Sequence, residues 1–173
     1  MTARVVLIGP MASGKTKVGK RVAKRLGATR FDTDKMFVAD HGTIADFFAV
    51  EGEPAFRALE AGYVAQATEH DAVVSLGGGA VLEPTTQTLL EKLPVVLLTV
   101  SAEAVESRLG DGKRPLVADG VAAWVKIFEA RRPIYERLAN RTYDTSRGNL
   151  DEIAEDIAAW IESGYTAEQR VMS

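Results

Sequence analysis

Short apolar runs alternate along this chain with longer segments whose apolar positions recur every three or four residues. That alternation is the signature of a parallel sheet covered by helices. Val5-Val6-Leu7-Ile8 is the first unbroken apolar run, and residues 72–76 and 94–100 are two more. Unbroken runs belong to strands buried on both faces. Two shorter strands are expected at 29–32 and 141–144. Between the strands the period lengthens. Val18, Val22 and Leu26 fall at i, i+4 and i+8, one stripe of a helix that Gly27 stops. Ile153, Ile157 and Ile161 repeat the stripe in a helix over 151–162. Two or three helical segments fill 35–67, broken at Gly42 and at Glu51-Gly52-Glu53-Pro54, and others are expected over 83–92, 102–109 and 121–140. Residues 110–120, rich in Gly, Lys, Arg and Asp, read as a mobile loop, and 164–173 as a frayed tail.

Composition narrows the class. At 173 residues, with no repeat or Pro/Ser linker, the chain reads as one domain with room for a substantial core. A net charge of −3 argues against a general nucleic-acid binder. No apolar run approaches a membrane span, and the N-terminal run is too short for a signal peptide. Without cysteine there is no disulfide framework and no thiolate metal site, which fits a cytoplasmic protein. His41 and His70 lack metal-ligand spacing and receive no role. The cations Lys17, Lys20, Arg21, Lys24 and Arg25 read as a solvated helix face.

The chemistry begins where the first strand ends. Gly9-Pro10-Met11-Ala12-Ser13-Gly14-Lys15-Thr16 satisfies the phosphate-binding pattern G-x-x-x-x-G-K-[ST] between a strand and a helix. Glycines let the backbone curl so that several N–H groups face one phosphate cluster, and the helix adds its positive end. Lys15 then reaches the β- and γ-phosphates, and the Thr16 hydroxyl is placed to ligate Mg²⁺. A nucleoside triphosphate is the expected ligand.

Such a site needs a carboxylate for the metal shell, and the strand-end acids are Asp32 and Asp34. Two residues apart, they leave the strand on one side, so one can face Mg²⁺ and the other an acceptor hydroxyl. The alternative is a pair of turn acids capping the next helix. Gly77-Gly78-Gly79 after the third strand offers either a ligand-approach surface or a tight turn. Arg57 and Glu60 share a helix face, a spacing that is usually a solvated ion pair. Phe56 beside them lines a pocket or, more commonly for a lone aromatic, the core. Arg114 on the loop and Arg131 in Arg131-Arg132-Pro133-Ile134-Tyr135 are either surface residues or donors to a transferring phosphoryl group.

Taken in order, these pieces resemble the shikimate kinase family of nucleoside-monophosphate-kinase-like P-loop proteins. The resemblance rests on Gly9–Thr16, Asp32-Thr33-Asp34, Ile44-Ala-Asp-Phe-Phe48 with Gly52-Glu53, Phe56-Arg57-x-x-Glu60, Ser75-Leu-Gly-Gly-Gly79, Arg114-Pro-Leu116 and Arg131-x-Pro-Ile-Tyr135. It implies a three-layer α/β P-loop kinase fold: a five-stranded parallel sheet flanked by helices, a substrate-binding helical subdomain near 33–61, and a lid near 110–120. It implies Mg²⁺-dependent transfer of the ATP γ-phosphate to the 3-hydroxyl of shikimate. In that reading Asp34 holds the attacking hydroxyl. Arg57 and Arg131, with the backbone of Gly77, Gly78 and Gly79, grip the acid, and Glu60 orients Arg57. Gly9, Met11, Ala12, Ser13, Gly14, Lys15 and Thr16 hold the nucleotide with Arg108, Arg114 and Arg147. Lys15, Asp34 and Arg114 are the catalytic set, and Thr16 and Asp32 serve the metal, the latter through water. Leu150 stands where family members often carry a proline beside the adenine. The partners implied are ATP and shikimate, with no nucleic acid or membrane, and the chain is expected to be a monomer. The rivals are a kinase for another polyhydroxy acid such as gluconate, and a catalytically silent nucleotide-binding module.

Overall fold

The computed structural model describes residues 2–109 and 120–165. Its centre is β1 (Val5–Ile8), hydrogen-bonded in parallel to β3 (Ala72–Ser75) on one side and β4 (Val95–Thr99) on the other. β2 (Thr29–Asp32) and β5 (Arg141–Asp144) close the edges, giving the order β2-β3-β1-β4-β5 with every pair parallel. Burial follows composition. β1 and β3 are apolar along nearly their whole length and buried throughout, whereas the edge strands Thr-Arg-Phe-Asp and Arg-Thr-Tyr-Asp carry polar residues and stay partly exposed.

Alternation along β1 divides the core into two layers. Val5 and Leu7 meet Val18 and Val22 of α1 (Lys15–Leu26) and Ile153 and Ile157 of α8 (Leu150–Glu162). Val6 and Ile8 face the other way, toward Val64 of α4 (Glu53–Thr68), Leu90 of α5 (Pro84–Leu90), Val105 of α6 (Ala102–Leu109), and Phe128 and Tyr135 of α7 (Val121–Leu138). The predicted three-layer architecture is therefore present. Among the described residues 35 hydrophobic side chains are buried, and burial of this kind is the dominant favourable contribution to folding.

Several boundaries differ from the sequence expectation, each for a local reason. The helix predicted over 121–140 stops at Leu138 because Asn140 turns into β5: its N–H bonds the Val95 carbonyl and its side-chain oxygen accepts from the Val95 N–H, both at 2.8 Å. The stripe ends Leu26 and Ile161 are only half-buried, being the last turns of their helices. The region after β2 resolves into α2 (Thr33–His41), α3 (Ile44–Glu51) and α4, separated at Gly42 and Gly52. Among the described residues no helix is long and apolar enough to cross a membrane.

All five strands point their C-terminal ends the same way, so the segments after β1, β2, β3 and β5 converge on one edge. The order reverses at β1, whose outgoing chain passes between connections that go to opposite sides. Open α/β sheets place their ligand crevice at such a switch point.

Candidate active site

The segment after β1 is a strained loop. Gly9 and Gly14 have φ of 146° and 87°, and Ala12, with φ of 66°, is the single non-glycine residue with positive φ among those described. Lys15 opens α1 and folds back over the loop, its Nζ donating to the Gly9 and Pro10 carbonyls at 2.7 and 2.8 Å. No acid lies within the first turn of α1 itself, which leaves its positive end facing the loop. Beside it is a cavity of about 590 Å³, walled by Met11 through Lys17 and by Asp32, Asp34, Arg108 and Leu150 among others.

Asp32 caps the following helix and also reaches the phosphate loop. One carboxylate oxygen caps α2 by accepting from the Lys35 N–H at 3.2 Å; the other accepts from the Thr16 hydroxyl at 3.1 Å. The hydroxyl and carboxylate thus sit together as hard oxygens beside the phosphate loop, the donor type Mg²⁺ takes when phosphates complete its shell.

A second cavity, of about 250 Å³, adjoins the first and is lined by Phe48, Phe56, Arg57, Gly79, Trp124 and Arg131, among others. Met11 and Asp34 line both. Burial, reinforced by Asp32, raises the Asp34 carboxyl above the usual range, against the pull of Lys15 and Arg57.

The Arg57–Glu60 pair is buried, contrary to the solvated pair that helix spacing usually signals. Its bond is 2.7 Å, and the two side chains are 11% and 4% exposed. Glu53 adds a 3.3 Å contact from one turn earlier. Burial pushes the Glu60 carboxyl up, while Arg57 opposes that shift. Phe56 serves both as core and as cavity wall: it is 3% exposed and packs edge-on against Phe37 at 4.9 Å, with the Arg57 guanidinium 5.2 Å from its ring centre.

Glycine is required after β3 because side chains crowd the turn. A Cβ at Gly79 would stand 2.3–2.5 Å from the Arg57 guanidinium, and one at Gly77 would stand 2.5 Å from Asp34 Oδ1 and 2.9 Å from Glu60 Oε2. The triple glycine is therefore a tight turn and a close-approach surface at once.

The remaining predicted residues fall as follows. Arg108 reaches the phosphate-loop cavity, but its guanidinium is engaged by backbone: it donates to the Ala12 and Thr145 carbonyls, each at 2.6 Å. Leu150 lines the same cavity and lies 3.8 Å from where a Gly14 Cβ would be. Arg147 is exposed, and its neighbours Gly148 and Leu150 form the wall instead. Arg114 and most of the predicted lid and tail lie outside the described residues.

Three side chains outside the predicted set of site residues also hold the site together. Trp124 donates from Nε1 to the Met11 carbonyl at 2.8 Å, tying α7 to the phosphate loop. Thr145, fully buried, donates to the Ser13 carbonyl at 2.7 Å. Its position immediately after β5, at the active edge of the sheet, was the available signal. The Tyr135 hydroxyl donates to the Gly78 carbonyl; the residue was visible only as part of a motif.

Comparison with known proteins agrees with this geometry. The family model described as shikimate kinase matches residues 11–162. A shikimate kinase of Streptomyces avermitilis is 42% identical over 163 residues, covering 92% of this chain and 95% of that protein. A shikimate kinase of Corynebacterium efficiens is 40% identical over 162 residues, covering 91% and 96%. Among solved structures, shikimate kinase from Acinetobacter baumannii in complex with shikimate superposes with a TM-score of 0.84 at 30% identity, covering 94% of each chain. By sequence and by fold, this chain belongs to the shikimate kinase family.

Proposed function

We propose that this protein transfers the γ-phosphoryl group of ATP to the 3-hydroxyl of shikimate, releasing ADP and shikimate 3-phosphate. One observation carries the assignment of roles: Asp34 and Met11 line both cavities, so a polyphosphate on the loop and an acid in the smaller cavity would meet at a carboxylate. The hydroxyl oxygen attacks the γ-phosphorus, the bond from that phosphorus to the β-phosphate oxygen breaks, and the hydroxyl proton passes toward Asp34. Burial makes the Asp34 carboxylate a better proton acceptor than an exposed aspartate.

The substrate acid is held by Arg57 and Arg131, whose charge-assisted bonds contribute about 1.5–3 kcal/mol each when shielded from water. Glu60 keeps the Arg57 fork in one orientation. Lys15 and the loop N–H groups align the polyphosphate, and Arg114, outside the described residues, is the cation that the resemblance brings to the transferring group. Thr16 and Asp32 are the groups that would hold Mg²⁺, whose contribution is neutralising charge between the phosphates. Arg108 and Leu150 lie on the nucleotide side. The protein acts as a monomer in the cytoplasm.

The test is direct phosphorylation of shikimate, followed by ADP release over a panel of sugar acids. Turnover on shikimate well above that on gluconate is expected. A preference for gluconate would overturn the substrate assignment, and no turnover on any acid would favour the silent nucleotide-binding module.

A further inference from the structure

Tyr135 is 0% exposed and is among the largest fully buried side chains in the protein. Packing alone would be served as well by phenylalanine, so the hydroxyl is what needs explaining. It donates to the Gly78 carbonyl. Arg131, one turn earlier on α7, faces the same hydroxyl, and a Cβ on Gly78 would lie 3.5 Å from an Arg131 terminal nitrogen. Arg131, Tyr135 and Gly78 are therefore one contiguous group at the wall of the smaller cavity.

The peptide between Gly78 and Gly79 is planar and trans, so its N–H points opposite to its C=O. A hydroxyl that holds the Gly78 carbonyl on the α7 side turns the Gly79 N–H away from it, and Gly79 lines the cavity. The neighbouring donors are satisfied: Gly77 N–H bonds the Thr33 hydroxyl at 3.2 Å and Ala80 N–H the Gly77 carbonyl at 3.1 Å. Among the described residues, the Gly78 and Gly79 N–H groups donate to no protein acceptor. Backbone donors rarely stay unpaired at a partly buried wall unless water or a ligand takes them.

We propose that Tyr135 is a positioning residue for the acceptor: by holding the Gly78 carbonyl beside Arg131, its hydroxyl presents the Gly79 N–H to the same substrate oxygens that Arg131 faces. The inference rests on the function proposed above, with shikimate as the acid. It predicts that the hydroxyl acts mainly on the acceptor, since Tyr135 and Gly79 line the smaller cavity and not the phosphate-loop cavity, while Gly78 itself lies against Gly9 and Met11.

The experiment measures Tyr135→Phe beside wild type, after wild type has been shown to phosphorylate shikimate. The shikimate KM is expected to rise about tenfold, with the ATP KM and kcat within about twofold. An unchanged shikimate KM, or equal rises in both KM values, would overturn the proposal while leaving the function intact. Absence of shikimate turnover in wild type would overturn function and proposal together. Should Tyr135→Phe not fold, 3,5-difluorotyrosine placed at 135 keeps the shape and donor but ionises more readily. Arg57 and Glu60 from α4 and Arg131 from α7 face this phenol. Because a phenolate cannot donate to Gly78, the alkaline rise in shikimate KM should begin at lower pH than in wild type. A pH profile identical to wild type overturns the proposal.

Discussion

Arg57 donates to Glu60 across 2.7 Å with both side chains nearly sealed from water, three residues apart on α4 and at the wall of the acceptor cavity. Most pairs at this spacing are exposed and contribute little. A buried pair behaves differently, because removing one partner leaves the other charge without compensation at a cost of about 3–5 kcal/mol. Arg57→Ala should therefore lower thermal stability as well as raise the shikimate KM, and the double variant Arg57→Met/Glu60→Leu should recover stability without recovering activity. Thermal unfolding and steady-state kinetics check both. Full stability in Arg57→Ala would contradict the burial argument.

Asp34→Asn separates stability from catalysis. The folded-state pKa of Asp34 is raised, so the folded form binds its proton more readily than the unfolded chain does. Its ionisation therefore opposes folding above the folded pKa, and that penalty disappears as pH falls toward the unfolded value. Asn should raise the melting temperature at neutral pH, lose that advantage in acid, and cut turnover sharply with nucleotide affinity retained. Unchanged turnover would refute the role assigned to Asp34.

Gly79→Ala is aimed at one contact. The added methyl would fall 2.3–2.5 Å from the Arg57 guanidinium, the far end of a flexible side chain that can move aside. Because a displaced nitrogen is the one bonded to Glu60, stability should fall by about 1–3 kcal/mol while the shikimate KM rises tenfold or more, as the arginine leaves its carboxylate-gripping position. ATP affinity should be unaffected. Calorimetry with each ligand separately distinguishes the two effects.

Lys15→Ala removes the cation that closes over the phosphate loop. Turnover should fall by about two orders of magnitude or more. Circular dichroism should show the fold intact, since Lys15 belongs to neither core layer.

Trp124 reports on the loop. Its indole donates to the Met11 carbonyl, so a nucleotide that rearranges the loop should shift its emission. The other tryptophan, Trp160, packs on α8 beneath Arg141 and is replaced by Phe to isolate the signal. Emission indifferent to saturating nucleotide would count against movement at Met11.

The chain's local order carried much of this architecture and chemistry. Strand periodicity, the stripe Val18/Val22 and the spacing from Gly9 to Thr16 are relations among near neighbours, and physical rules of helix and strand geometry act over that range. Asp32, Asp34, Arg57, Glu60, the triple glycine and Arg131 were legible as chemistry by residue type and motif. Their depth and mutual distances were not. Whether Arg57 and Glu60 form a wet or a dry pair depends on what α7 and the turn after β3 place over them, and those segments are remote in the sequence. Arg108, placed by motif among the nucleotide-holding residues, lines the phosphate-loop cavity and also donates to the Ala12 and Thr145 carbonyls, a contact that exists because β5 lies beside β4 and β4 beside β1. Thr145, Trp124 and Tyr135 gain their roles from the same strand order. Residue identity determined which chemistry was available; the parallel order β2-β3-β1-β4-β5 decided which groups meet, because burial and hydrogen bonding are set by distances between segments that no local pattern encodes.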